Sequence, residues 1–171
     1  MKNKLSNIEL LLLDVDGVLT DGTITYSDSG EQIKSFNSKD GLGLRLLMDS
    51  GIKVGIITGR KSKALEYRCQ NLGITLLFDG ITDKLEALGS ITSQTGTALK
   101  KIAFVGDDLI DLPVMKKVGV SFSVLDASRD VKKHSDIVTT QKGGQGAVRE
   151  VCETILKAKG LWNNILDNYL T

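Results

Sequence analysis

The chain has 171 residues, of which 41% are hydrophobic and 25% are charged, and these values are ordinary for a globular protein. Its 22 basic and 21 acidic side chains give a formal net charge of +1, so bulk electrostatics indicate no nucleic-acid or membrane partner. No apolar run approaches the roughly 20 residues of a spanning helix, and the polar start reaches Asp14 too soon for a signal peptide. We therefore expect a cytoplasmic protein with a single domain over residues 1–171.

Strand-like and helix-like segments alternate along the chain. Short continuous apolar runs predict strands buried on both faces, and longer segments with helical spacing predict helices that end at glycines. This alternation is typical of an α/β fold with a doubly wound, mostly parallel sheet and helices on both faces. The predicted strands are 8–13, 53–57, 74–78, 102–105, 120–124 and 136–138, and the predicted helices are 40–50, 62–71, 82–93, 146–159 and one that begins near Pro113.

One segment departs from this alternation. Residues 22–36 contain two β-rich stretches separated by the turn-forming Ser27-Asp28-Ser29-Gly30, a pattern that predicts a β-hairpin inserted after the first strand. No insertion is large enough to form a cap domain over the sheet. The last segment, 161–171, is an apolar tail that either packs on its own subunit or reaches a neighbouring one.

The cysteine and histidine counts restrict the chemistry. Cys69 and Cys152 have no CxxC partner, so we expect two reduced, buried thiols rather than a disulfide or a zinc site. His134 is the only histidine, and we expect it to be a surface or capping residue. Any reaction must therefore use carboxylates, lysines, hydroxyls and backbone amides.

Polar side chains collect where the predicted strands end. Asp14 and Asp16 follow the first strand, Thr58 and Arg60 the second, Lys84 the third, and residues 107–108 the fourth. In open α/β sheets, ligands bind beyond the carboxyl ends of the strands. The sequence therefore predicts one site built from several strand ends.

This ordered set resembles the haloacid dehalogenase superfamily of phosphatases. The four motifs of that superfamily match Asp14-Val15-Asp16-Gly17-Val18, Thr58, Lys84 and Gly106-Asp107-Asp108-Leu109-Ile110-Asp111. A lone DxD is a weak signal, whereas four motifs in order, each at a strand end, are a strong one.

The resemblance implies a role for each matching residue. Asp14 is the nucleophile that forms a phosphoryl-aspartate, and Asp16 is the general acid and then the general base. Thr58 and Lys84 hold the phosphoryl oxygens. A Mg²⁺ cofactor is bound by Asp14, Asp107 and the backbone carbonyl of Asp16.

Elementary chemistry agrees with these roles. A phosphomonoester dianion repels a carboxylate, so a metal ion and a lysine must neutralise charge around the transferred group, and Mg²⁺ prefers oxygen ligands. By the same resemblance, Asp108 supports Lys84 or a metal-bound water. Asp111 is interpreted as an acid at a helix N-terminus.

A narrower resemblance covers about residues 8–159 and points to the 3-deoxy-D-manno-octulosonate 8-phosphate (KDO 8-phosphate) phosphatase family. That family acts in lipopolysaccharide precursor synthesis, and its members are tetramers without a cap domain. Their hairpins meet at the centre, and a neighbouring subunit covers each active site. The segments that carry the resemblance are 14–22, Phe36-Asn37, Asp40-Gly41, 56–61 and 146–152.

The hairpin itself favours such an assembly. It is too small to fold alone and exposes β-rich edges, so pairing with another subunit would satisfy it. A homotetramer is therefore expected, and the alternative is a hairpin free on the surface.

A sugar-acid substrate needs cations opposite its carboxylate, and Arg45, Arg60 and Arg68 are the candidates. The resemblance adds a substrate-contacting loop, Asn37-Ser38-Lys39-Asp40-Gly41. Many relatives carry Arg where this chain has Lys39, and a basic residue where it has Gln145. Because Lys cannot copy a bidentate Arg contact, these two departures bear on which sugar is bound.

Three alternatives remain at this stage. Phosphatases for nine-carbon sialic-type acid 9-phosphates tend to have Glu where Arg60 stands, so Arg60 favours the eight-carbon acid. A receiver-type signalling domain also has an acidic cluster, a Thr and a Lys on a parallel sheet, but its phosphorylated Asp follows the third strand and Asp16 has no counterpart there. A catalytically silent subunit is disfavoured because all four motifs are intact.

Overall fold

The computed structural model describes residues 1–170. Six parallel strands form one sheet in the order β5-β4-β1-β6-β7-β8. The numbering includes a separate two-stranded hairpin, β2-β3. The strands are β1 Leu10–Leu13, β2 Thr25–Tyr26, β3 Gln32–Ile33, β4 Lys53–Ile57, β5 Leu76–Phe78, β6 Ile102–Gly106, β7 Val120–Ser123 and β8 Ile137–Val138.

Helices connect the strands, so the predicted α/β fold with its parallel sheet is confirmed. Short 3₁₀ turns at Leu99–Lys101 and Leu109–Asp111 flank β6. No helix among residues 1–170 is long and apolar enough to cross a membrane. The α-helices are α1 Lys2–Ser6, α2 Ser38–Asp49, α3 Lys63–Leu72, α4 Lys84–Thr95, α5 Leu112–Met115, α6 Arg129–His134, α7 Ala147–Ala158 and α8 Trp162–Leu170.

The central strand β1 determines where the site lies. All four of its leucines are fully buried, as expected for a strand covered on both faces. In register, Leu13 lies beside Ile56 of β4 and Val105 of β6, and Asp14 N donates to Val105 O at 3.0 Å. Because the three strands are parallel, the residues that follow them meet at the same edge.

The hairpin and α2 make up the connection between β1 and β4. As predicted, the hairpin strands pair antiparallel, with Thr25 opposite Ile33, but each is only two residues long. No cap domain interrupts the described part of the chain. Side chains of Ile24, Tyr26 and Ile33 are exposed on the hairpin.

Three short helices were not predicted. Helices α1 and α6 have five and six residues, too few to show a clear apolar period. The tail, predicted only as an apolar segment, is helical as α8 over residues 162–170. Its Trp162 lies under the charged groups of Arg149 and Lys157, at 5.4 and 5.2 Å from the ring centroid, so the start of the tail packs on its own subunit.

Cys69 and Cys152 are free and buried, as expected. His134 is exposed, and its Nδ1 hydrogen-bonds the Asp130 carbonyl at 2.8 Å.

Candidate active site

A cavity of about 530 Å³ lies at the carboxyl edge of the sheet. It forms where β1, β4 and β6 end, so the prediction that their polar residues converge is confirmed. Its lining residues are Asp14, Asp16, Gly22, Ile24, Thr58, Gly59, Arg60, Asp107, Asp108 and Ile110.

Lys84 reaches this edge from the start of α4. The carboxylate of Asp83 caps that helix by accepting from Leu85 N at 2.8 Å and Glu86 N at 3.3 Å, which fixes Lys84 in the first turn. Lys84 Nζ lies 2.9 Å from Asp14 Oδ1 and 2.6 Å from Asp111 Oδ1. The three side chains are 4, 7 and 0% exposed, so they form a buried charge network.

The structure shows which carboxylate supports Lys84. Asp108, predicted to support Lys84 or a metal-bound water, accepts from Leu109 N at 2.8 Å and caps the 3₁₀ turn, and its role towards a metal-bound water stays a prediction. Asp111 is more than an acid at a helix N-terminus, because its Oδ1 accepts from Lys84 while its Oδ2 accepts from Asp107 N at 3.0 Å. A carboxylate three residues further along can reach back under the loop, whereas Asp108 faces the cavity.

Three carboxylates at this edge of the sheet repel one another. Ligand oxygens of Asp14, Asp107 and Asp111 all lie within 4.8 Å of one another. Burial, together with the Asp111 charge, raises the pKa of Asp14 to about 6. Burial and the charges of Asp14, Asp111 and Asp108 raise the pKa of Asp107 to about 7. Burial opposes the charge of Lys84, but the Asp14 and Asp111 carboxylates outweigh it and raise its pKa.

These residues fit a hard divalent cation. Asp107 Oδ1 is buried and has no hydrogen-bond partner among the described residues, and a buried carboxylate oxygen without a partner is costly. One lysine does not neutralise three clustered carboxylates. An oxygen-rich, negatively charged cluster of this kind is the donor set that Mg²⁺ prefers.

Close backbone contacts hold the turn that carries Asp16. Gly17 has a φ of +88°, and a Cβ there would collide with the Asp107 carboxylate, so only glycine lets the two loops approach. Gly144 N donates to Val18 O at 3.0 Å, and a Cβ at Gly143 would collide with the Gly17 carbonyl. The loop before α7 therefore supports the turn from its other side.

Two cations from different segments lie beside the Asp16 carboxylate. Lys34 Nζ donates to Asp16 Oδ1, and Arg60 Nε lies 3.7 Å from Asp16 Oδ2. Sequence reasoning missed Lys34. Nothing in its local pattern distinguishes it from a solvated lysine, because the contact depends on how the hairpin folds back over the turn.

The three arginine candidates separate in space. Arg60 lines the cavity and its side chain is 48% exposed. Arg45 donates to the Asn71 carbonyl at 2.6 Å in an exposed contact. Arg68 donates to the Asn37 carbonyl at 3.0 Å and lies 5.7 Å from the Phe36 ring centroid. Only Arg60 is thus placed at the cavity.

The 37–41 loop is largely occupied by structural contacts. Asn37 caps α2 by accepting from Lys39 N at 2.8 Å, and its Nδ2 donates to Gly144 O at 3.2 Å. Asp40 is 1% exposed and accepts from Arg149 N at 2.8 Å, so its side chain caps α7 rather than facing the cavity. Gly41 packs against Arg68, which leaves Ser38 and Lys39 exposed.

Lys39 and Gln145, the two departures from the family pattern, lie together. Both line a groove of about 350 Å³ at the start of α7. The two substitutions therefore affect this groove, which shares no lining residue with the strand-end cavity.

The fold and the strand-end carboxylates define the haloacid dehalogenase-like class of hydrolases. Consistent with this, the family described as "haloacid dehalogenase-like hydrolase" matches residues 77–151, which include the Lys84 and 106–111 motifs.

Relatives narrow the class to a family. The chain is 51% identical over 157 residues to the 3-deoxy-D-manno-octulosonate 8-phosphate phosphatase KdsC of Escherichia coli (strain K12), covering 92% of this chain and 84% of that protein. The Salmonella typhi KdsC is 50% identical over the same length and with the same coverage. The chain belongs to the 3-deoxy-D-manno-octulosonate 8-phosphate phosphatase family, which confirms the resemblance found in the sequence and removes the receiver-domain alternative.

Solved structures agree. The Yersinia pestis phosphatase of the same name superposes with a TM-score of 0.93 at 46% identity, covering 95% of this chain and 88% of that chain. The Moraxella catarrhalis phosphatase, solved in complex with a magnesium ion, a phosphate ion and a KDO molecule, gives a TM-score of 0.96 at 42% identity, covering 98% and 97%.

Proposed function

We propose that this chain hydrolyses KDO 8-phosphate to KDO and phosphate in lipopolysaccharide precursor synthesis, with Mg²⁺ as its cofactor. The observation that carries the proposal is an intact phosphatase motif set, assembled at one sheet edge, in a chain that belongs to this family. The Moraxella catarrhalis relative was solved with the sugar acid, the anion and the cation of this reaction.

Asp14 is the proposed nucleophile. Its carboxylate attacks phosphorus, which forms a phosphoryl-aspartate and breaks the bond between phosphorus and the sugar oxygen, while Asp16 donates a proton to the departing alkoxide. In the second step, Asp16 takes a proton from water as the water oxygen attacks phosphorus. Inorganic phosphate leaves and the Asp14 carboxylate is regenerated.

Two residues are proposed to hold the transferred group. The Lys84 ammonium lies beside Asp14, where its positive charge can pair with a phosphoryl oxygen. Thr58 lines the cavity, and its backbone is fixed by bonds from Thr58 N to Phe78 O at 2.9 Å and from Ile81 N to Thr58 O at 3.0 Å. Donors held in place in this way, the Thr58 hydroxyl and the Lys84 ammonium, stabilise the transition state without reorganising.

The proposed Mg²⁺ ligands are the carboxylates of Asp14 and Asp107 and the backbone carbonyl of Asp16. When bound there, the ion neutralises the charge that otherwise keeps a phosphate dianion away from a carboxylate. The two carboxylates are supported by the closeness of their ligand oxygens, within 4.8 Å, and by the Asp107 oxygen without a partner, whereas the Asp16 carbonyl is proposed from the family resemblance.

Arg60 is the proposed contact for the sugar-acid carboxylate. Its 3.7 Å contact with Asp16 is too long for a hydrogen bond, so its guanidinium is not tied down. Ser38 and Lys39 are exposed and stay proposed substrate contacts from the family resemblance, although Lys39 lines the groove at the start of α7 and not the strand-end cavity. For Asn37, Asp40, Gly41 and Arg68 we propose an indirect role, shaping the loop beneath the substrate, and Arg45 lies on the exposed side of α2.

Assembly and location are further parts of the proposal. A homotetramer joined through the hairpin would cover Ile24, Tyr26 and Ile33, which are 43, 57 and 53% exposed in the isolated chain. A cytoplasmic location is supported by two buried thiols that are not paired, as is usual in a reducing compartment. Light scattering tests the assembly, and a monomer mass at working concentration would contradict it.

A phosphate-release assay with Mg²⁺ tests the activity itself. The substrates are KDO 8-phosphate, a nine-carbon sialic-type acid 9-phosphate and glucose 6-phosphate, and kcat/KM is expected to be highest for the first. A preference for the nine-carbon ester would refute the substrate but keep the phosphatase, whereas hydrolysis of none of them would refute the whole proposal.

A further inference from the structure

A lysine whose side chain is nearly buried contacts the proposed proton donor. Lys34 directly follows β3, and its Nζ pairs with Asp16 Oδ1. Its side chain is only 6% exposed, although Ile33 beside it is 53% exposed. Lysine is rarely buried without a partner, so the burial of this side chain depends on the Asp16 contact.

Lys34 does not line the cavity, whereas Asp16 and Arg60 do. Asp16 Oδ1 is occupied by Lys34, and Oδ2 is the oxygen on the side of Arg60. The two oxygens of the carboxylate therefore have different surroundings, one paired with a nearly buried ammonium and one beside a residue that lines the cavity.

We propose that Lys34 is a positioning residue that fixes the orientation of the Asp16 carboxylate. An ammonium group has three donors and no acceptor, and its contact with Oδ1 leaves Oδ2 on the side of Arg60, which lines the cavity. Oδ2 is therefore the oxygen available to the leaving group. The same contact restricts rotation of the carboxylate, which otherwise has a broad torsional preference. This inference rests on the proposed role of Asp16.

Leaving-group dependence tests the inference, because an alkoxide needs a proton to leave and p-nitrophenolate does not. We expect Lys34→Met to lower kcat/KM for glycerol 3-phosphate and KDO 8-phosphate by about 10–100-fold, within the range of general acid catalysis. For p-nitrophenyl phosphate the expected loss is below about 3-fold. Lys34→Arg, which keeps the charge, should recover part of the alkyl-ester activity.

Two further measurements separate positioning from a general structural effect. In an Asp16→Asn background, Lys34→Met should cause no additional loss, since Lys34 acts through Asp16. The control Lys53→Met removes the same charge at the opposite end of the sheet, where Lys53 begins β4 and is exposed, and should retain wild-type kinetics. Lys34→Gln replaces Lys34→Met if the latter does not fold.

Equal losses on alkyl and aryl esters, or full additivity with Asp16→Asn, would overturn the role of Lys34. Failure of the proposed function itself would be seen in the Asp16→Asn variant alone. If Asp16→Asn itself showed no leaving-group dependence, the proton-donor role of Asp16 would be wrong, and the inference would be refuted with it.

Discussion

Lys84 Nζ lies closer to Asp111 than to Asp14, at 2.6 Å against 2.9 Å. The residue proposed to hold the phosphoryl group is therefore anchored from behind by a fully buried carboxylate. Asp111 also accepts from the backbone of residue 107, so one side chain positions both the lysine and the loop that carries a proposed metal ligand.

Removing this anchor should impair both catalysis and stability. We expect Asp111→Ala to lose on the order of 3 kcal/mol of unfolding free energy, because a buried ion pair is broken from one side. Asp111→Asn keeps the shape but not the charge and should lower kcat/KM by more than Asp108→Asn does. The measurements are urea unfolding and phosphate release, and a larger kinetic loss in Asp108→Asn would contradict the assignment of Asp111 as the main support of the site.

The clustered carboxylates predict a pH-dependent stability of the metal-free protein. Asp14 and Asp107 have pKa values raised from 3.8 to about 6 and about 7. Between pH 3.8 and about pH 7, the folded state therefore binds more protons than the unfolded chain. By linkage, the free energy of unfolding falls as pH rises through this window. In excess chelator, Tm should accordingly be lower at pH 8 than at pH 5.

Asp107→Asn is the matched variant for this prediction. It removes one of the repelling charges, so its stability should fall less than that of the wild type between pH 5 and pH 8. The expected difference is about 1–2 kcal/mol in the free energy of unfolding, or roughly 3–6 °C in Tm. The same variant should lose the stabilisation that Mg²⁺ gives the wild type. Parallel pH dependence of the two proteins in chelator would contradict the assignment.

Metal removal should abolish turnover. Excess chelator is expected to stop phosphate release, and added Mg²⁺ to restore it. Ca²⁺ should bind yet support little activity, since its larger and looser coordination shell misplaces the nucleophile. Undiminished turnover in excess chelator would exclude a required metal.

Arg60 should matter only for a substrate that carries a carboxylate. Arg60→Ala is expected to cost about 2–3 kcal/mol in kcat/KM for KDO 8-phosphate, the value of a charged hydrogen bond, and little for glycerol 3-phosphate. This pattern differs from that of Lys34→Met, which should affect both alkyl esters. Equal losses with Arg60→Ala would mean that Arg60 serves the fold or the phosphate.

Sequence reasoning located the strand-end residues because parallel strands in register must bring their carboxyl ends together. It therefore placed Asp14, Thr58 and Asp107 at one cavity. It did not find Lys34 or the pairing of Asp111, because both contacts depend on how a hairpin or a turn folds back in three dimensions.

Sequence reasoning also could not separate substrate-binding residues from residues that stabilise the fold. The fold uses Asp40 to cap α7 and Arg68 to hold the Asn37 carbonyl, and neither contact has a local sequence signal. Single-domain organisation over residues 1–171 stays a prediction.

The central claim is covalent catalysis by Asp14, and the Asp14→Asn variant tests it most directly. The variant keeps the shape of the side chain but removes the anion that attacks phosphorus. With KDO 8-phosphate and Mg²⁺, the account predicts that kcat falls at least about 10³-fold while the variant remains folded. Near-normal turnover by folded Asp14→Asn protein would contradict it.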